Sequence, residues 1–364
     1  MEERLDARLM ELPPAALHEL AGRISGIDEF RGWWQGRGHA CPSVFTRLQE
    51  RTIEVSSDIS ARNASRASFS PPRNPPWGQR RVGGTGSGVS ASRAGHADLL
   101  RSVFRGYRDM EFGQDLILRF HSQLFRYSAA HRAHRGRYKE VPDRSPAYVR
   151  GGMESPALRP TEPHLVPREM EILVRWTTAR LGSPAFHPLL VIASFLLEFL
   201  AIRPFADGNR RMSRILAGFL LLKHGYAHVP YLSLDAIVAD REMDYSLALR
   251  RAQAKRNTPD PDIMPWLRAF LDVLQTHARE LRTLVEGRPR EDHLSGNQQA
   301  VLSLLDRHGE VSIRLVRREL GIPRDTAKQV LARLHEWNLV RRMGAGRAAR
   351  YLRTPLLPGE EPLS

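Results

Sequence analysis

The residues of this 364-residue chain whose types and spacing point most directly to chemistry are Asp207, Gly208 and Asn209, followed by Arg211 and Arg214. Asp207 or Asn209 can cap a helix that starts here, and Gly208 lets the backbone approach a ligand closely. A glycine turn whose amides face outward at a helix N-terminus is an anion site. Arg211 and Arg214, three residues apart, share a face of the first turn, where two guanidinium groups suit the oxygens of a polyphosphate. Asp207 is the carboxylate at hand for a magnesium ion bridging such phosphates. The same residues also suit an ordinary Asp-Gly-Asn turn beside a solvated helix face, so the spacing alone leaves both readings open.

Helices on either side must hold the turn. Pro188–Ile202 is strongly apolar, and residues 212–224, closed by Gly225, are its successor. The first of these contains Glu198 and falls short of the ~20 residues a bilayer span requires, so it reads as a buried helix and the chain as no membrane protein. Residues 98–112 begin a run of helices that reaches about Arg282, interrupted by a Pro/Gly-rich passage at 135–163. Residues 1–59 read as an N-terminal helical segment, with Leu17, Leu20 and Ile24 at helical spacing and Phe30, Trp33 and Trp34 as a packing anchor. His187, His224 and His228 flank the apolar helices and read as structural.

A polar linker at 283–295 leads to a terminal unit at 296–356. Residues 297–308 read as a helix; Ser312 caps a second over 313–320, closed by Gly321; Pro323 and Arg324 open a third that runs to about Trp337. The following LVRRMGAGRAARYL reads as strand, glycine turn, strand. The unit resembles a winged helix-turn-helix. In that geometry Arg324, Thr326, Lys328 and Gln329 face the major groove of duplex DNA, and Arg341, Arg342, Arg347 and Arg350 on the wing reach phosphates.

Charge points the same way. The chain carries 55 Lys+Arg against 40 Asp+Glu, a net +15 that suggests a polyanionic partner. Residues 60–97 hold six arginines and no acid, and residues 296–354 hold twelve Lys/Arg against five Asp/Glu, so nucleic-acid contact is expected at the end of the chain rather than its nearly neutral middle. The single cysteine, Cys41, excludes an intramolecular disulfide and a zinc cluster, and MEERLDARLM lacks the pattern of a secretory signal, which suggests a cytoplasmic protein.

RPFADGNRRMSR at residues 203–214 resembles the Fic (Fido) family motif HPFxDGNGRxxR, matching at Pro204, Phe205, Asp207, Gly208, Asn209, Arg211 and Arg214. FLLEFLAI before it, ILAGFLLLKHGY after it, VPYLSL at 229–234 and YSLALRRAQ at 245–253 are similar to the larger Fic proteins that end in a winged helix. HRGRYKEVP at 134–142 resembles their hairpin flap, which positions target proteins. The resemblance implies an all-α fold over residues 98–282 with a small β-hairpin flap. It also implies binding of ATP with Mg2+, and transfer of AMP to a Ser, Thr or Tyr hydroxyl of a target protein. By position, Asp207 would bind magnesium, Gly208 and Asn209 would form the anion hole, Arg211 and Arg214 would hold the triphosphate, and Phe205 would pack in the core.

Two positions depart from the pattern. The family's general base, a histidine, falls on Arg203, and arginine cannot accept a hydroxyl proton. Loss of general-base catalysis costs roughly 10²–10⁴-fold, so transfer activity is expected to be weak or absent. Arg210 stands where the family has glycine. Doc-type members carry lysine there and act as kinases with the nucleotide reversed, which makes Doc-like kinase activity one alternative. A DNA-binding regulator with the Fic domain as nucleotide sensor or scaffold is another. A homodimer is left open. Ser56-Ser-Asp-Ile59 resembles the start of the family's inhibitory helix, S/T-x-x-x-E-G/N, but the glutamate is missing. Residues 60–97 contain no Leu and no Ile, and read either as a disordered linker or as a frameshifted translation.

Overall fold

The computed structural model describes residues 1–36, 42–67, 87–142, 160–256, 258, 261–286, 294–337, 339–344 and 349–354. The chain divides into two units: Met1–Gly32 with Gln49–Ala278, and Trp33–Leu48 with the residues from Arg279 onward. The helices up to that point are α1 (Glu2–Met10), α2 (Pro14–Gly36), α3 (Pro42–Ala67), α4 (Ser87–Gly106), α5 (Gln114–Leu124), α6 (Val166–Leu181), α7 (Pro188–Ile202), α8 (Asn209–Lys223), α9 (Leu234–Asp240), α10 (Glu242–Ala254) and α11 (Met264–Val285).

Helix α7 is the axis of the first unit. Apolar on every side, it must be enclosed, and each residue from Leu189 to Ile202 is buried, with α6, α8 and α10 packed around it. Its start is fixed by Pro188 at the first helical position and by His187, whose Nδ1 accepts from the Leu189 amide. The carboxylate of Glu198 is fully buried, where an unpaired charge would be strongly destabilising. Arg8 Nη1 lies 2.5 Å from its Oε1 and Arg256 Nε 2.8 Å from its Oε2. Those two arginines tie the N-terminal helix and the end of α10 to the axis. From α11, the Trp266 indole donates to the Ala193 carbonyl at 2.7 Å. Helix α8 begins three residues before its apolar run, so its arginine-bearing first turn is helical.

The linker expected over 60–97 is different at both ends. Helix α3 continues through Ser60 and Ala61 to Ala67, and α4 starts at Ser87; residues 68–86 lie outside those described. Small residues explain how the start of a stretch without Leu or Ile packs: Ser60 and Ala61 are buried, as are Ser56 and Ser57 one turn before them, and Ser56 Oγ sits 2.8 Å from Ser233 Oγ. The family's inhibitory glutamate would fall on Ser60, within this buried helical turn. The expected hairpin also differs. Residues 134–142 run as turns and extended chain with no strand among the described residues; Gly136 N donates to His121 Nδ1 and Lys139 N to the Pro204 carbonyl.

The second unit contains α12 (Gly296–His308), β1 (Glu310–Val311), α13 (Ile313–Leu320), α14 (Arg324–Glu336), β2 (Val340–Met343) and β3 (Arg350–Arg353). Ser295 and Gln298 form a capping box on α12, Ser312 Oγ accepts from the Leu315 amide to cap α13, and Gly321 closes it at φ +66°. Helix α14 starts after Pro323. The three strands are antiparallel in the order β1-β3-β2; the short β1 adds an edge to the expected two-stranded wing. Among the described residues no helix is long and apolar enough to cross a membrane.

Candidate functional site

Burial of α7 to its last residue governs the turn that follows. Backbone carbonyls at a helix end need partners, and no water reaches these. Lys139, itself 4% exposed, donates from Nζ to the Ile202 carbonyl at 3.2 Å and from its backbone N to the Pro204 carbonyl at 2.8 Å. Arg203 takes φ +50°, the left-handed region, while its amide closes the helix on Phe199. It is the one non-glycine residue in that region among those described. The Asn209 amide clamps the next corner: Oδ1 accepts from Phe205 N at 3.0 Å and Nδ2 donates to the Phe205 carbonyl at 2.8 Å. His121 does the same two residues further on. Its Nε2 donates to the Asp207 carbonyl at 3.2 Å and its Nδ1 accepts from Gly136 N at 2.8 Å, which fixes a neutral tautomer. Burial is the main reason its pKa falls to about 4, and the ring stacks on Phe205 at 3.8 Å.

Asp207 faces outward from this frame. Its Oδ1 accepts from the Gly208 amide at 2.5 Å, and its Oδ2 lies 3.1 Å from both His131 Nε2 and Arg211 Nη2. Partial burial opposes ionisation, but the His131 hydrogen bond, the Arg211 charge and the Gly208 amide outweigh it and hold the carboxyl well below the usual range. Arg211 is 7% exposed; it also donates to Ser92 Oγ at 2.9 Å and lies 4.6 Å above the Phe125 ring. His131 stacks on the same ring and its Nδ1 is 2.6 Å from Ser128 Oγ.

The structure brings Asp207, Gly208, Asn209 and Arg211 together at the start of α8, and Arg214 lies one turn further along the same helix. Its Nη1 pairs with Asp235 Oδ1 at 3.0 Å. Arg210 lies on the exposed side of α8. Desolvation and the charges of Arg214, Arg203 and Arg250 lower its pKa, against the pull of Glu242. Sequence reasoning missed His121, His131, Lys139, Ser92 and Asp235. Ser92 lay in a segment set aside for its composition, and the others reach the turn across distances in sequence that no local pattern encodes.

In the second unit, Arg324, Lys328 and Gln329 project from the exposed face of α14, with Thr326 half-buried beside the buried Ala327. Asp325 adds an acid to that face. Arg341 and Arg342 are adjacent in β2 and so point to opposite sides of the sheet, Arg342 being the exposed one. Arg350 is exposed on β3 and its Nε sits 3.3 Å from Glu310. Arg347 lies outside the described residues.

Comparison with known proteins places these features. Residues 111–221 match the Fic/DOC family and residues 294–350 the MarR family. A Fido domain-containing protein of Dictyostelium discoideum is 36% identical over 73 residues, 20% of this chain and 51% of that relative, so the chain spans about half the length of the curated relative it matches. A Fic family protein from Desulfovibrio desulfuricans G20 superposes with a TM-score of 0.57 at 21% identity, covering 96% of this chain and 98% of that one. A Fic domain containing signaling protein from Bacteroides thetaiotaomicron gives 0.52 at 16% identity over 70% and 94%. At such identities the likeness is one of fold.

The turn depends on Gly208, at φ +82° with a Cβ position only 2.8 Å from Phe125 Cε2. Gly208→Ala is expected to cost about 2–4 kcal/mol, from the left-handed penalty and the ring contact together. Gly22→Ala, in α2 with nothing within 4 Å of the new Cβ, should gain about 0.5–1 kcal/mol. Urea unfolding midpoints compare the two, and equal effects would contradict the assigned geometry.

Proposed function

We propose that this chain, whose residues 111–221 match the Fic/DOC family and 294–350 the MarR family, binds ATP at the α7–α8 turn but transfers AMP to target hydroxyls poorly or not at all. Fic proteins are AMP-transferases, and the observation that carries the binding half of the reading is the turn itself. Asn209 holds its shape through two backbone hydrogen bonds, Gly208 supplies the left-handed residue that lets α8 start against Phe125, and Arg211 stands at the helix's first turn. Amides at a helix start and guanidinium groups together suit phosphate oxygens.

The transfer half fails at one atom. Attack of a target hydroxyl on the α-phosphorus forms an O–P bond, expels pyrophosphate and releases a proton that a base must take. Arg203 has no lone pair to offer it. His121 does not replace the base, because both its ring nitrogens are engaged with backbone groups.

The family also implies a magnesium ion at Asp207. Among the described residues there is no group of three or more His, Cys, Asp or Glu residues that could hold a metal. Both oxygens of Asp207 already accept hydrogen bonds, one of them from a guanidinium group. Magnesium in a phosphate site takes one or two carboxylates together with the phosphate oxygens it bridges, so Asp207, held ionised, is the residue that would hold it.

A second reading rests on the exposed Arg324, Lys328 and Gln329 of α14: the MarR-like unit binds duplex DNA and the Fic domain reports nucleotide to it. Neutralising Z phosphates gives an affinity that falls with salt with a slope of about −0.9Z. The full chain should bind duplex DNA in this way, and Lys328→Ala should reduce the slope by about 1. A salt-insensitive affinity would remove the reading.

Arg203→His tests the first reading, since it supplies a group that accepts a proton near neutral pH. Incorporation of α-labelled ATP into bacterial lysate should rise at least ~10²-fold, while Arg210→Gly alone should change it little. Incorporation of γ-label instead would favour Doc-like phosphoryl transfer. Silence with both labels from a variant that folds and binds ATP would contradict the assignment of Arg203 as the limiting residue.

A further inference from the structure

Two ion pairs engage the arginines on one face of α8, and they differ in enclosure. Arg211 Nη2 lies 3.1 Å from Asp207 Oδ2, and the Asp207 side chain is 47% exposed. Arg214 Nη1 lies 3.0 Å from Asp235 Oδ1, and the Asp235 side chain is 9% exposed. An open pair is weak and exchanges readily for another anion, whereas an enclosed pair is little screened and its charges are costly to separate. Arg211 can therefore turn to a phosphate at the start of α8. Arg214 is already committed.

The carboxylate that commits it is held in place from two sides. Asp235 lies in the first turn of α9, and Ser233 caps that helix by accepting from the Ala236 amide at 3.1 Å. The Ser233 hydroxyl also sits 2.8 Å from Ser56 Oγ of α3, and both serines are buried. The cap and the contact with α3 together fix where α9 begins, and with it the position of Asp235. On α8, three residues at 1.5 Å each place Arg214 about 4.5 Å further from the turn than Arg211. Its side chain is 16% exposed, so a ligand lying along α8 can reach it. A phosphate chain that begins at the α8 amides and Arg211 meets Arg214 only with its outermost phosphate. There it meets Asp235 as well.

We infer that Asp235 is a specificity-determining residue of this site: by holding Arg214 it leaves the outermost phosphate beside a carboxylate and without a free cation, so the turn takes a nucleoside diphosphate in preference to a triphosphate. This rests on the nucleotide-binding reading and deepens it by naming the phosphate chain that the site selects. Two phosphates are served by the α8 amides and Arg211. A third must displace Asp235 from Arg214 and is repelled by it until it does.

Calorimetric titration of the full chain with ADP and with ATP, each in excess magnesium chloride, tests this. The wild-type chain should bind ADP at least as tightly as ATP. Asp235→Asn should raise ATP affinity ~10-fold or more, the worth of one charge-assisted hydrogen bond, and ADP affinity by less than about 2-fold. Adding Arg214→Gln to that variant should remove the gain, and thermal melts check that each variant is folded. If Asp235→Asn does not fold, the wild-type comparison decides, repeated with pyrophosphate against tripolyphosphate. Tighter binding of ATP than of ADP by the wild-type chain would overturn the inference and leave the nucleotide site intact. So would no gain from Asp235→Asn, a gain equal for both nucleotides, or one that survives Arg214→Gln. Binding of neither nucleotide by any of the three chains would overturn the nucleotide-binding reading as well.

Discussion

Helix α7 is buried to its last residue, and the buried polar backbone groups of the turn after it must find partners within the protein. That requirement explains residues which otherwise have no common purpose. Lys139 satisfies Ile202 and Pro204, Asn209 satisfies both backbone groups of Phe205, and His121 bridges Asp207 to Gly136. The segment around residues 131–139 is thereby fastened to the turn. An unmet carbonyl or amide in such a place costs about 1–3 kcal/mol, so several linked bonds of this kind make the turn rigid. Rigidity matters because phosphate recognition depends on donors held in place before the ligand arrives.

The same rigidity sorts the charges. With the backbone fixed, Asp207 can face only His131, Arg211 and its neighbouring amide, and Arg214 is left to Asp235. A protein that used Arg203 as a proton acceptor would contradict elementary acid–base chemistry, whereas one that uses it as a fixed charge exploits what arginine does best.

Much of this was legible in the sequence because it is local. The buried helix over Pro188–Ile202, the turn at Asp207–Asn209 and the caps at Ser312, Gly321 and Pro323 follow from periodicity and from single residues with narrow conformational roles. What escaped was either long-range or compositional. His131 meets Asp207 across 76 positions and Asp235 meets Arg214 across 21, pairings that only the fold brings about. Ser60, Ala61 and Ser92 lie in a stretch without Leu or Ile, where hydrophobicity argues for disorder, yet small side chains there permit close helix packing. Adjacent Arg341 and Arg342 read alike as letters but alternate in direction once they are in a strand.

The most direct test of the account is a crystal structure of the full chain with a non-hydrolysable ATP analogue. Its phosphates should lie within hydrogen-bonding distance of the first-turn amides of α8 and of Arg210, with Asn209 still clamping Phe205. An analogue bound at saturating concentration anywhere else, or a turn that opens so that Asn209 releases Phe205, would contradict it.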